Sequence, residues 1–244
     1  MAEAEYKVRK AEEREQLPEI DLLPLIPHNG ENLDVAVFGT NTYRGNLGAM
    51  QKRYFHSGQL QNISFRPATT SESISAAAYG FKDMVKLQIF DPRWLQVGYI
   101  VRTPEGVFTN TTETDGGKLK QLLTNARKVN GIYFLDNNIA FAPYETFESG
   151  VQDFDVFSQG GLARALEHTS EKTASKLRGI ASPEHYKRGV NVWEFNPTKE
   201  PVVKVASLDS YRNIDGDRLY VDGDNWDVSR GFAFGVRQGE ARTE

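Results

Sequence analysis

The sequence predicts an α+β fold: a mixed, mainly antiparallel sheet built from hairpins, with a central helical region. Three observations predict it. Short apolar runs are separated by Asp-Gly, Asn-rich and Pro-Glu-Gly turns along much of the chain, and such turns join antiparallel neighbours because Gly reaches positive φ without steric cost. One stretch, Gln152 to Ile180, spaces its apolar residues (Phe154, Phe157, Leu162, Ala165, Leu166, Leu177, Ile180) as a helix does. Strands and helices do not alternate regularly, as a doubly wound parallel sheet requires.

Residues 1–29 read as a charged arm followed by an extended lead-in. Ala2 to Gln16 carries Glu3, Glu5, Lys7, Arg9, Lys10, Glu12, Glu13, Arg14 and Glu15 with no apolar stripe, the pattern of a solvated helix or frayed tail. Pro18, Pro24 and Pro27 then favour extended backbone. A single α+β domain is expected over 30–237, with Ser182-Pro183 as a point of subdivision, and a polar tail over 238–244. Leu33 to Phe38 is a buried strand by composition. The Gly-rich loop Gly39 to Gly48 follows it, but without the G-x-G-x-x-G or Gly-Lys-Ser/Thr spacing of phosphate loops.

Thr69 and Glu72 form a capping box that opens a short helix through Ala76, Ala77 and Ala78 towards Gly80. Trp94 to Val101 and Val107 to Thr112 are partner strands across Thr103-Pro104-Glu105-Gly106. Asp115 caps a helix bearing Leu119, Leu122, Leu123 and Ala126, and Asn130-Gly131 is expected to end it. Ile132 to Leu135 and Ile139 to Ala142 pair across Asp136-Asn137-Asn138. In the helical region, Gly160-Gly161 and Thr169-Ser170 mark divisions, and Ser182-Pro183 ends it. Val190 to Phe195, Val202 to Ser207, Arg218 to Val221 and Phe232 to Val236 complete a C-terminal ribbon with turns at Asp215-Gly216-Asp217 and Asp222-Gly223-Asp224.

Composition narrows function. A chain of 244 residues, 39% hydrophobic and 11% aromatic, buries roughly 70% of its unfolded surface. It contains no cysteine, which removes disulfides, thiolate nucleophiles and sulfur-ligated zinc. Lys plus Arg is 29 against 33 for Asp plus Glu, a net charge of −4, so nucleic acid would need a local basic patch. Arg44, Lys52, Arg53, Tyr54, Phe55, His56 and Arg66 form one basic–aromatic stretch, and His185 to Arg188 another, suited to stacking single-stranded bases. No apolar run approaches the ~20 residues of a membrane span. The expectation is a soluble, cytoplasmic protein.

Catalytic motifs are sparse. The four histidines, His28, His56, His168 and His185, form no His-x-x-x-His or His-Glu-x-x-His pattern. There is no Gly-x-Ser-x-Gly elbow. Asp153 and Asp155 could pair as carboxylates, but at a helix start they suit the dipole equally. The acidic turns are the richest candidate. Asp215, Asp217 and Asp222 could ligate calcium through oxygen, although the EF-hand pattern fails because its first ligand position would be Tyr211. Trp193, Tyr186 and Trp226 with Asp222 and Asp224 could form a ligand surface, aromatics giving stacking area and carboxylates orienting a small polar ligand. The segment Trp226 to Arg237 resembles the closing strand of C-type-lectin-like and sulfatase-modifying-factor-type domains over about a dozen residues; the helices that precede it do not follow that fold's order, and no functional residue is carried over.

These features point to a non-catalytic module that binds a small polar ligand or a protein partner. The alternatives are a hydrolase-like enzyme whose carboxylates and histidines meet only in the fold, and a protein associated with single-stranded nucleic acid.

Overall fold

A computed structural model describes residues 21–38, 66–80, 94–136, 138–210, 217–225 and 231–238. The architecture is α+β with a mainly antiparallel sheet. β1 (Asp21–His28) and β2 (Glu31–Phe38) form a hairpin closed by Asn29 and Gly30, at φ 49° and 85°. Two positive φ angles match the twist of the strands they join. Among the described residues β1 pairs only with β2, so Pro24 and Pro27 lie on an edge, where a missing N–H is tolerated. The proline-bearing lead-in is thus an edge strand of the described sheet.

After β3 (Arg66–Pro67) comes α1 (Thr70–Gly80). Its capping box forms as the sequence predicts: Thr69 N donates to Glu72 Oε2 at 2.9 Å and Glu72 N to Thr69 Oγ1 at 3.3 Å. Arg66 adds a two-pronged contact to the same buried carboxylate, at 2.8 and 2.6 Å. Burial alone would raise the Glu72 carboxyl, but the Arg66 and Thr69 hydrogen bonds outweigh it and hold it below its ordinary range.

β4 (Trp94–Arg102) and β5 (Gly106–Thr109) form the next hairpin. α2 (Gly116–Thr124) starts on Asp115, whose Oδ1 accepts from Gly117 N at 2.8 Å and Lys118 N at 3.0 Å. The helix does not run to Asn130-Gly131. It ends at Thr124, and Asn130 (φ 49°) and Gly131 (φ 86°) instead close a tight hairpin between β6 (Arg127–Val129) and β7 (Ile132–Phe134). Asn-Gly serves both roles, and the three-residue run before it was too short to read as a strand.

β8 (Ala140–Pro143) and β9 (Gly150–Gln152) lead to three short helices, α3 (Phe154–Gln159), α4 (Gly161–Glu167) and α5 (Ser175–Ile180). α5 has no side-chain cap of its own at Ala174. The Glu167 carboxylate, at the end of α4, supplies one from a distance by accepting from Lys176 N at 3.1 Å and Leu177 N at 3.0 Å. Burial nevertheless pushes the Glu167 carboxyl up.

β10 (Val190–Trp193), β11 (Val202–Asp209), β12 (Leu219–Asn225) and β13 (Gly231–Gln238) complete the chain's strands. The sheet runs β6-β7-β8-β5-β4-β11-β12-β10-β9. β13 lies parallel to the start of β4 (Gly231↔Trp94 to Ala233↔Gln96), then pairs with β2. β4 therefore shares one edge between β13 and β5 and gives the other to β11. Among the described residues every pairing is antiparallel except β10–β12 and β13–β4.

The C-terminal strands are consequently not a ribbon of successive hairpins. β11 and β12 pair as expected, but β13 leaves for the far side of β4. The Asp222-Gly223-Asp224 segment is the interior of β12, not a turn.

Leu95, Ile100, Leu208, Val221, Val190 and Val192 face one side of the sheet with Ile74 of α1, Leu162 and Leu166 of α4, and Leu177 and Ile180 of α5. Each such side chain contributes about 1.5–3 kcal/mol on burial. The opposite face, at the β4–β5–β8 end, carries Val101, Phe108 and Phe141 packed on Leu119 of α2. Among the described residues no helix is long and apolar enough to cross a membrane.

Candidate functional site

The strand that carries the aspartates sets their surroundings. Ser207 pairs with Asp222, but Val205 pairs with Asn225, so Gly223 and Asp224 both stand opposite Ala206. This one-residue bulge turns the chain over. Asp222 stays on the face away from the main core, in register with Trp193 of β10. Trp193 is 53% exposed. Burial raises the Asp222 carboxyl, and the charges of Asp224 and Glu194 add to that, against the hydrogen bond from Asp224 N.

Asp224 points elsewhere. Its Oδ1 accepts from Lys204 Nζ at 2.6 Å and from Arg102 Nη2 at 3.3 Å, both buried cations. Arg102 Nη1 also donates to the carbonyl of Glu194, and Thr198 Oγ1 donates to Arg102 O at 3.0 Å. The segment from Glu194 to Pro201 is thereby anchored to β4. Phe195 in that segment is fully buried and lies over Gly223, where an added Cβ would come within 2.8 Å of its ring. Tyr144 donates its hydroxyl to Asn196 O at 3.0 Å, and burial pushes its phenol up to about 12.

So the structure brings Trp193 and Asp222 together and separates Asp224 from them. Tyr186 lies in the main core at 3% exposure, away from the Trp193 face. Asp217 sits at φ 71°, its carbonyl accepting from Arg188 N at 3.0 Å. Asp215 and Trp226 lie outside the described residues, as do the Gly39–Gly48 loop, the charged arm up to Gln16, and the basic–aromatic stretch from Arg44 to His56. Among the described residues no group of three His, Asp or Glu side chains could hold a metal ion.

Histidine does meet a potential nucleophile: His28, named from the sequence, is joined by Ser75 and Lys176, which no sequence pattern marks. Ser75 Oγ of α1 lies 2.8 Å from His28 Nδ1 and 2.9 Å from Lys176 Nζ, and donates to Ser71 O at 2.9 Å. Asn29 Nδ2 is 3.2 Å from His28 Nε2. An amide nitrogen only donates, so Nε2 is the acceptor and the ring proton sits on Nδ1, where it donates to Ser75. The serine therefore gives its proton to a backbone carbonyl and accepts two hydrogen bonds. No lone pair remains for attack and no base holds its proton. The cluster joins β1, α1 and α5. Burial, with Lys176 close by, lowers the His28 imidazole, so the ring is neutral.

Among the described residues, three surface clefts stand apart from these clusters. One of about 820 Å³ lies beside α3 and α5, and one of about 470 Å³ beside α2 and Leu135. The one cation of each pairs with a carboxylate in the wall: Arg178 with Asp155 at 2.7 Å, and Lys118 with Glu113 at 3.1 Å. The third, about 250 Å³, lies between α2 and the β4–β5 turn. Phe108, Phe141, Leu119, Leu123, Pro104 and Pro201 supply its apolar walls, and Glu105 and Lys120 its charges. The phenylalanine rings pack with centroids 4.4 Å apart. Among the described residues neither Glu105 nor Lys120 has an ion-pair partner. No periodicity could have marked this cleft, because its lining is drawn from the β4–β5 turn, β5, α2, β8 and the Pro201 segment, which lie far apart in the chain. Compared with family models, curated proteins and solved structures, the chain shows no match.

Proposed function

We propose that the protein is a non-catalytic ligand-binding module whose ligand inserts between α2 and the β4–β5 turn. The observation that carries this reading is the cleft's chemistry: apolar walls from two aromatic rings, two leucines and two prolines, with two charges of opposite sign. Small-molecule sites combine a mainly apolar concavity with few polar groups in this way. The walls stand on fixed elements. Thr103 Oγ1 locks the turn by accepting from Glu105 N at 3.2 Å and Gly106 N at 3.1 Å. Asp115 caps α2, and the Arg102–Thr198 bond steadies the segment leading to Pro201. Such preorganisation lowers the entropic cost of binding.

Methyl-labelled protein titrated with indole, benzyl alcohol and p-cresol tests the reading. Saturable shifts at Leu119 and Leu123 are expected, and those at Leu119 should disappear in Leu123→Trp. If no probe shifts those methyls at millimolar concentration, the cleft is not the site. Shifts confined to the Trp193 indole would instead move the site to the Trp193–Asp222 face.

A further inference from the structure

We infer that the ligand of this cleft is a zwitterion with an apolar tail, namely a free hydrophobic α-amino acid; the inference rests on the cleft being the ligand site. Size is the first argument. A dry cavity of about 150 Å³ accommodates benzene, so about 250 Å³ takes a ring or branched alkyl group together with its attachment. Charge is the second. Glu105 and Lys120 line the same small concavity, yet they are not paired with each other or with any described residue. In each of the two polar clefts the lining cation is paired with a lining carboxylate, at 2.7 and 3.1 Å; this one holds an anion and a cation apart.

A neutral ligand leaves both charges as they are. A simple carboxylate gains Lys120 but meets Glu105, and a simple amine gains Glu105 but meets Lys120. Only a molecule carrying ammonium and carboxylate together answers both, with like-charge opposition excluding the others. Attachment of both groups to one carbon places them beside a tail that the Phe108, Phe141, Leu119 and Leu123 walls can bury. Glu105 is held on a turn tied by Thr103, and Lys120 on a capped helix, so the spacing between the charges is set by the fold.

Calorimetric titration of the full chain with L-phenylalanine, 3-phenylpropanoate, phenethylamine and benzyl alcohol tests this. L-phenylalanine should bind about fivefold or more tighter than either singly charged analogue, the scale of exposed charge pairs. Glu105→Gln should bring it to the level of 3-phenylpropanoate, and Lys120→Met to that of phenethylamine. Both positions are exposed, so these variants keep the fold. Benzyl alcohol or either single ion binding as tightly as L-phenylalanine, with binding lost in Leu123→Trp, would overturn the amino-acid inference and leave the cleft as a site. Failure of all four probes would overturn both.

Discussion

Lys204 Nζ lies 2.6 Å from Asp224 Oδ1 on the neighbouring strand, and only 5% of the lysine side chain is exposed. Arg102, 10% exposed, shares the same oxygen at 3.3 Å. Two buried cations therefore share one carboxylate oxygen. Asp224→Asn should destabilise the protein by roughly 3 kcal/mol in urea unfolding, the low end for breaking a buried pair, because Asp224 keeps 30% of its surface. The double change Asp224→Leu with Lys204→Met should recover the part of the loss owed to the lysine, while Arg102 keeps only its bond to the Glu194 carbonyl. A single variant as stable as wild type would show that the network carries no net stability.

The contact between Phe195 and Gly223 predicts a second, steric dependence. A Cβ at Gly223 would stand 2.8 Å from the ring, so Gly223→Ala should cost about 1–3 kcal/mol by overpacking. Phe195→Leu, costly alone, should be less costly in the Gly223→Ala background, and a double-mutant cycle reads that coupling. Strict additivity would mean that the ring does not rest on this glycine.

Acid should act through His28. Its folded pKa lies below the unfolded value of 6.5, so the unfolded chain binds its proton first. The stability it supports is complete above about pH 6.5 and falls as pH drops towards the folded pKa. His168, also lowered by burial, acts in the same direction. Glu167 and Asp222, raised by burial, act oppositely, regaining stability as they protonate. The His28 component is therefore read as a difference: unfolding midpoints of wild type minus His28→Gln should decline between about pH 7 and 5. A flat or rising difference would contradict a His28 imidazole lowered by its burial in the fold.

Local chemistry made much of the scaffold legible. The Thr69–Glu72 box, the Asp115 cap, the Gly160 division and the strands at Leu33, Trp94 and Val190 follow from residues close in sequence, and all appear where those residues place them. Asn130-Gly131 shows the limit of such reading, since the same dipeptide ends helices and closes hairpins. The Asp222-Gly223-Asp224 segment shows another: its glycine serves a ring packed from Phe195, twenty-eight positions earlier by numbering. Composition groups Trp193 with Asp222, and strand pairing aligns them; a bulge turns their neighbour Asp224 away. The amino acids by themselves determined an α+β chain, its caps and most of its strand positions, because hydrogen-bond geometry and apolar periodicity act over a few residues. Tertiary structure alone decided which strands became neighbours, which charges were neutralised and where a cleft opened, because those outcomes depend on contacts between segments whose separation no local pattern records.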